Sequence, residues 1–238
     1  MGRRHLAGAL AAALATVAAC DVAAQSWPSK PIRVVVGFAP GGPTDTLARI
    51  VADYLTQVLP QPAVVENKPG AASNIAAETV AKATPDGHIL LVSGMGPYSI
   101  NVVLYPTLAY DPDRELAPIT VIGRGPTVLA ISPELGIDSV KEFVAYAKKH
   151  AGKINHSSPG VGTQPHLAAE LFRMKAGFES THAPYRSGPA TLNAVVQGEV
   201  QWTFDAPLTA LPAHQNGKVR VLAVSSAERW PAQPDIPT

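Results

Sequence analysis

His166 and Glu170 stand four residues apart in a segment with helical spacing, which puts both side chains on one face where a divalent metal could bind. A zincin would need His-Glu-x-x-His, and that run is missing, so the spacing reads instead as a histidine that caps or packs. No Gly-x-Ser-x-Gly elbow is present to expose a serine nucleophile. Cys20 is the sole cysteine, and it falls in an N-terminal segment expected to be removed. The remainder then has no disulfide, no thiol nucleophile and no cysteine-ligated metal. Asp205 closes an apolar run and is either a turn residue or a ligand contact. Arg186, in Pro184-Tyr185-Arg186-Ser187-Gly188, could clamp a carboxylate or lie on the solvated surface. With no nucleophile–base pair to be read, the expectation is a protein that binds rather than catalyses, with no metal and no cofactor.

Four loops rich in small residues carry more information. They are Phe38-Ala39-Pro40-Gly41-Gly42-Pro43-Thr44-Asp45, Asn67-Lys68-Pro69-Gly70-Ala71-Ala72-Ser73-Asn74, Ser93-Gly94-Met95-Gly96 and Ser157-Ser158-Pro159-Gly160-Val161-Gly162-Thr163. The first joins a strand to a helix, whose opening N–H groups attract an anion by hydrogen bonding and by the helix dipole. It is not a phosphate loop, because it lacks the Gly-Lys-Ser/Thr ending and the dinucleotide glycine pattern. Each loop alone could be an ordinary turn, with Thr44 or Asp45 as a helix cap. Their recurrence after successive strands is what points to a ligand, since parallel α/β sheets bind at the carboxyl ends of their strands.

The elements that must hold these loops alternate. Ile32 to Phe38 is a continuous β-branched apolar run, as a strand covered on both faces should be, and Thr44 to Leu59 has helical periodicity. Strand 63–66, helix 74–83 and strand 89–93 follow, the last two separated by the turn Pro85-Asp86-Gly87. Further on, residues 119–122 and 128–132 read as extended. Ser139 and Glu142 form a capping box for a helix that Gly152 stops. Then come strand 154–157, helix 164–176, strand 181–184, helix 189–197, and strands 200–204 and 219–224. This alternation predicts an α/β protein with mostly parallel sheets covered by helices, and a change of sheet within Pro118–Ile131.

Composition narrows the class. The chain has 238 residues, 46% of them hydrophobic and 16% charged, which supports a large core and excludes wholesale disorder. Nineteen Lys and Arg face 18 Asp and Glu without a basic run, and aromatics are only 6%, so no nucleic-acid surface is expected. Arg3 and Arg4 precede an apolar stretch from Leu6 to Ala19 and a small-residue exit ending at Ala24. That is the order of a secretory signal, too short for a membrane anchor, with cleavage expected before Gln25. The alternative is a lipoprotein box at Val17-Ala18-Ala19-Cys20.

The loops together resemble a known family. Pro31-Ile32-Arg33-Val34-Val35-Val36, followed by Phe38-x-Pro40-Gly41-Gly42-x-x-Asp45-x-x-x-Arg49, is similar to the opening of the Bug receptors, periplasmic solute-binding proteins of tripartite tricarboxylate transporters. Glu66-Asn67-Lys68-Pro69-Gly70-Ala71, Gly160-x-Gly162-Thr163-x-x-His166-Leu167, Pro184-Tyr185-Arg186, Leu222-Ala223-Val224 and Pro234-Asp235-Ile236-Pro237-Thr238 extend the resemblance in order from about Trp27 to the last residue. It implies a type II periplasmic binding protein-like fold with a ligand cleft between two α/β lobes. The expected division is a signal peptide at 1–24, lobe 1 at 25–125 and lobe 2 at 126–238, with the return crossing strand and terminal helices of relatives absent.

The family's function implies a monomer that captures a small organic acid and delivers it to membrane transporter subunits. A sensor presenting its closed form to a membrane kinase would use the same cleft. Carried over, Phe38, Pro40, Gly41, Gly42 and Asp45 line the first lobe, with Gly70, Ala71 and Ser93 beside them. Gly162, Thr163, His166, Tyr185 and Asp205 face them from the second. The sequence departs from the family pattern at Ala72, Ser73 and Ala76, where further glycines are usual, and at Gln201, where an aspartate is usual.

Overall fold

Strand β1 (Ile32–Val36) is buried at Ile32, Val34, Val35 and Val36, so both faces are covered except at Arg33. This is what a β-branched run without polar alternation demands of a central strand. A computed structural model describes residues 26–238. The expected signal segment and Cys20 lie outside the described residues. In the structure β1 is the middle of a three-stranded parallel sheet, between β2 (Ala63–Asn67) and β3 (Ile89–Val92). Helix α1 (Pro43–Val58) connects β1 to β2, and α2 (Asn74–Ala81) connects β2 to β3. Ala48 and Ala52 of α1 pack on Ile32, Val34 and Val36; their small side chains let the helix approach the sheet closely. Short helices α3 (Asn101–Leu104) and α4 (Pro112–Glu115) follow.

A second sheet has five strands in the order β6 (Thr181–Pro184), β5 (Asn155–Ser158), β7 (Trp202–Asp205), β4 (Val128–Ile131), β8 (Arg220–Val224). Helices α5 (Val140–Lys149), α6 (Gln164–Ala176), α7 (Gly188–Val196) and α8 (Pro207–Gln215) cover it. On one face Phe143, Phe172, Phe178 and Phe204 gather around Trp202, mostly edge to face, as aromatic quadrupoles prefer. On the other, Val128, Ala130 and Val221 meet Leu192, Val195 and Ala210. Ser139 caps α5 with the expected box: its hydroxyl accepts from the Glu142 N–H, and Glu142 accepts from the Ser139 N–H.

The pairing is mostly parallel, as expected, but β4 runs antiparallel to both β7 and β8, so the second sheet is mixed. β4 enters from a long connection rather than a βαβ crossover, so nothing in its apolar run fixes its direction. Residues 119–122 form no strand: among the described residues no neighbour supplies a ladder, and Ile119 is 77% exposed. Helix α8 was not foreseen. Pro207 sits at its start, where a fixed φ helps, but Pro212 lies inside it and removes one backbone donor. Packing against α7, β4 and β8 holds α8 despite that local penalty. Among the described residues no helix is long and apolar enough to cross a membrane.

Candidate functional site

The carboxyl ends of β1, β2 and β3 face those of β5, β6 and β7, and the small-residue loops meet between the two sheets. A Cβ built on Gly160 would lie 3.5 Å from Ala72 Cα. One on Gly42 would lie 3.8 Å from Pro189 Cδ, and one on Gly188 would lie 4.0 Å from Pro43 Cδ. The Tyr105 hydroxyl reaches the Val161 carbonyl at 3.4 Å. The two halves of the chain are therefore closed onto each other through these loops.

The first loop is braced from below. Asp45 is buried, and its carboxylate accepts from the Gly41 N–H at 3.0 Å, from Arg49 Nε at 2.9 Å and from Asn67 Nδ2 at 2.8 Å. Burial alone would raise its pKa, but these hydrogen bonds together with the Arg49 charge outweigh it and hold the carboxyl below its ordinary value. Asn67 Nδ2 also donates to the Phe38 carbonyl at 2.9 Å. Asp45 thus fixes the loop that presents Pro40 and Gly41, both exposed, and Gly42, which is buried against the opposite half. Gly41 has φ +86°, a conformation that L side chains rarely adopt.

The second loop carries backbone strain. Ala71, Ala72 and Ser73 have φ of 45°, 49° and 76°, three successive non-glycine residues in left-handed conformation after Gly70. Such residues persist only where surrounding structure holds them, and successive N–H groups in such turns form concave anion sites. The Ser93 hydroxyl holds the loop from β3, 2.7 Å from Ser73 Oγ.

From the second half, Gly162 donates its N–H to His166 Nδ1 at 3.2 Å, and the Thr163 hydroxyl donates to the Gly160 carbonyl at 2.7 Å. His166 therefore acts as a cap for its own loop. Glu170 turns from it to Arg173, 2.9 Å from Nε. Behind His166 the imidazoles of His182 and His156 follow at centroid spacings of 4.3 and 5.1 Å, ending on Trp202 at 4.7 Å. Burial, and for His156 also the neighbouring His182, lowers both pKa values to about 4, so the inner rings are neutral and hydrogen-bond to Ser158 and Ser180. Among the described residues no three His, Cys, Asp or Glu side chains gather as a metal ion would require.

Capping separates the helices into two kinds. Of the described helices with eight or more residues, α5 and α7 have side-chain caps from Ser139 and Ser187. Helices α1, α2, α6 and α8 have none. The uncapped four all begin at the meeting loops, as does the capped α7, and the positive ends of the helix dipoles there can receive an anion.

Of the expected site residues, Tyr185 departs most from its assigned place. It packs on the core of the second sheet, and its hydroxyl donates to Glu199 at 2.7 Å, past the far end of α7 and away from the other candidates. Apolar packing against Val128, Leu192 and their neighbours decides this, which no local pattern encodes. Arg186 is exposed. Phe38, Pro40, Gly41, Gly42 and Asp45 belong to the first loop, and Gly70, Ala71 and Ser93 to the strained second one. Gly162, Thr163 and His166 share the facing loop, and Asp205 is buried at the start of α8. Two further residues belong with the site: Asn67, legible in the second loop's motif but not assigned a role, braces the first loop, and Asn101, fully buried on α3 and in no motif, lies against Gly162. A cavity of about 480 Å³ adjoins the third loop, between Met95 and Ile100 on one side and Leu167, Leu171 and Phe204 on the other.

The family model described as "Tripartite tricarboxylate transporter family receptor" matches residues 47–238. The chain is 34% identical to protein BugT of Bordetella pertussis over 222 residues, covering 92% of this chain and 68% of that one. It superposes on an R. palustris protein solved with adipate at a TM-score of 0.86 and 34% identity, over 89% of this chain and 71% of that one. It is similar also to MatC from Rhodopseudomonas palustris with bound malate, at a TM-score of 0.83 and 34% identity over 89% and 72% of the two chains. The fold is accordingly that of the α/β periplasmic solute-binding proteins, and the chain belongs to the tripartite tricarboxylate transporter receptor family, the Bug-type receptors.

Proposed function

We propose that the protein is an exported solute receptor that closes its two halves around a small organic carboxylate and delivers it to a tripartite tricarboxylate-type membrane transporter. The observation that carries this reading is the convergence of four uncapped helix N-termini on one seam. Their positive dipole ends and the first-turn N–H groups left without side-chain caps suit an anion with several oxygens, and the strained, glycine-rich loops let backbone approach it closely. The relatives solved with adipate and malate support a carboxylate as the anion. The residues proposed to meet the ligand are Pro40, Gly41 and Gly42 from one half, and Gly162, Thr163 and Asp205 from the other. Asp45 and His166 act by positioning the loops.

A thermal-shift screen of the full chain against succinate, malate, adipate, citrate and benzoate tests this. A ligand at 100 times its Kd adds about 2.7 kcal/mol of stability, a shift readily resolved. At least one acid should raise the melting temperature in a saturable way. A panel without any shift, or conversion of a bound acid to product, would overturn the reading.

A further inference from the structure

Asp205 has an oxygen that the fold does not use. The residue closes β7 and is 2% exposed. Its Oδ1 accepts from the Ala206 N–H at 2.7 Å, while among the described residues Oδ2 has no hydrogen-bond partner. The nearby Thr209 hydroxyl donates to the Ala206 carbonyl at 3.0 Å. Burial pushes the carboxyl up to about 7, against the pull of Ala206 and Thr209. An unsatisfied buried polar group is costly, and a turn aspartate needs only the oxygen that is already bonded.

Its position says what the second oxygen is for. A Cβ built on Gly188 would lie 3.1 Å from Asp205 Oδ1 and 4.0 Å from Pro43 Cδ, which belongs to the other half of the chain. Asp205 therefore stands where the N-termini of α1, α7 and α8 come together, and α1 and α8 lack side-chain caps. Those N–H groups favour a carboxylate, whereas Oδ2 among them is an acceptor. A ligand satisfies both only by pairing a carboxylate with a hydrogen-bond donor close beside it. A plain diacid would set a second carboxylate against Asp205, and would then need a proton between them.

We propose that Asp205 is the specificity residue of the cleft, its free Oδ2 accepting from an amino or hydroxyl group that lies within one or two bonds of the ligand's carboxylate. The proposal rests on the carboxylate reading above and names the ligand class: small amino acids or hydroxy acids rather than unsubstituted diacids. Ionised, Asp205 makes a charge-assisted bond to that donor; Gly188 leaves room for the carboxyl to be reached.

Isothermal titration of the full chain with L-aspartate, L-malate and succinate tests it, because the three share a four-carbon diacid skeleton and differ in the donor. Aspartate or malate should bind about 10- to 100-fold tighter than succinate, the range for a hydrogen bond to a charged group. Asp205→Asn keeps an oxygen for Ala206 and turns an NH₂ toward the ligand, so most of that ratio should vanish while succinate holds or tightens. If that variant does not fold, Gly188→Ala, whose Cβ presses on Oδ1, should reduce the ratio in the same direction. Wild-type protein without preference, or a folded Asp205→Asn that keeps the ratio, would overturn the assignment of Asp205 alone. No binding of any of the three, nor of the other acids screened, would overturn the carboxylate reading and this one with it.

Discussion

The side chain of Asn101 lies against the backbone of Gly162 across the seam, so closely that a Cβ on Gly162 would sit 2.7 Å from Asn101 Oδ1. The amide is held in place: its Nδ2 donates to Asn74 Oδ1 at 2.5 Å, and the Tyr110 hydroxyl lies 3.0 Å from the same oxygen. Asn101 is completely buried, yet among the described residues Oδ1 has no hydrogen-bond partner. Gly162 also has φ +87°, so a side chain there is opposed by both space and backbone. Gly162→Ala should hold the two halves apart, weakening acid binding by at least about tenfold. Small-angle scattering should show a more open molecule at unchanged helix content. Unchanged affinity would mean that this contact does not form in the bound state.

Substituting Gly41 and Gly42 together with valine should abolish binding while the fold survives. Among the described residues Gly41 has open space around it but a positive φ, and Gly42 meets only Pro189 of the opposite half. The change therefore strains one loop and fills the seam without entering a core. Melting temperature and affinity measured on the same sample separate the outcomes; retained affinity in a folded double variant would move the anion site to Gly162 and Thr163.

Asp45→Asn should destabilise the protein by about 1–3 kcal/mol, because an acceptor among the N–H groups of Gly41, Asn67 and Arg49 becomes a donor. Urea denaturation followed by circular dichroism gives the difference. An unchanged midpoint would show that the loop holds itself.

Stability should decline as pH falls from 7 toward 4. His156 and His182 stand near 4, below the about 6.5 of an unfolded chain, so between those values the unfolded chain binds protons that the folded one refuses. Their contribution is complete above about 6.5 and is lost toward 4. Asp205 acts oppositely: its folded value of about 7 exceeds the unfolded value of about 3.9, so its contribution is present at acid pH and lost as pH rises through 7. Two histidines against one aspartate leave a net loss toward acid, at most about 1.4 kcal/mol per pH unit. Asp205→Asn should steepen the slope and His156→Phe should flatten it, as thermal melts across this range will show. Melting temperatures that rise toward pH 4 in wild-type protein would contradict the neutral histidines.

Ala71→Gly should leave stability unchanged or raise it by up to about 1 kcal/mol, since relief of a left-handed alanine exceeds or balances the added freedom of the unfolded chain. A marked loss in the melting temperature would mean that the Ala71 side chain makes contacts its exposure does not suggest.

What the sequence determined by itself was local. The apolar run of β1, the periodicity of α1, the capping box at Ser139 and the small-residue loops each depend on neighbours in the chain, and they read correctly. Motif order identified the family for the same reason. Tertiary structure decided the remainder. The direction of β4 follows from its entry into a sheet built by distant segments, and α8 survives Pro212 through packing on α7 and β8. Tyr185 is drawn to the core by apolar burial, away from the loop its motif suggested. Asn101 lies in no recognisable motif and gains its place only when a four-residue helix meets Gly162 from 61 positions further on. The buried setting of Asp205 is likewise invisible in sequence, because Gly188 and Pro43, from both halves of the chain, come to it only in the fold.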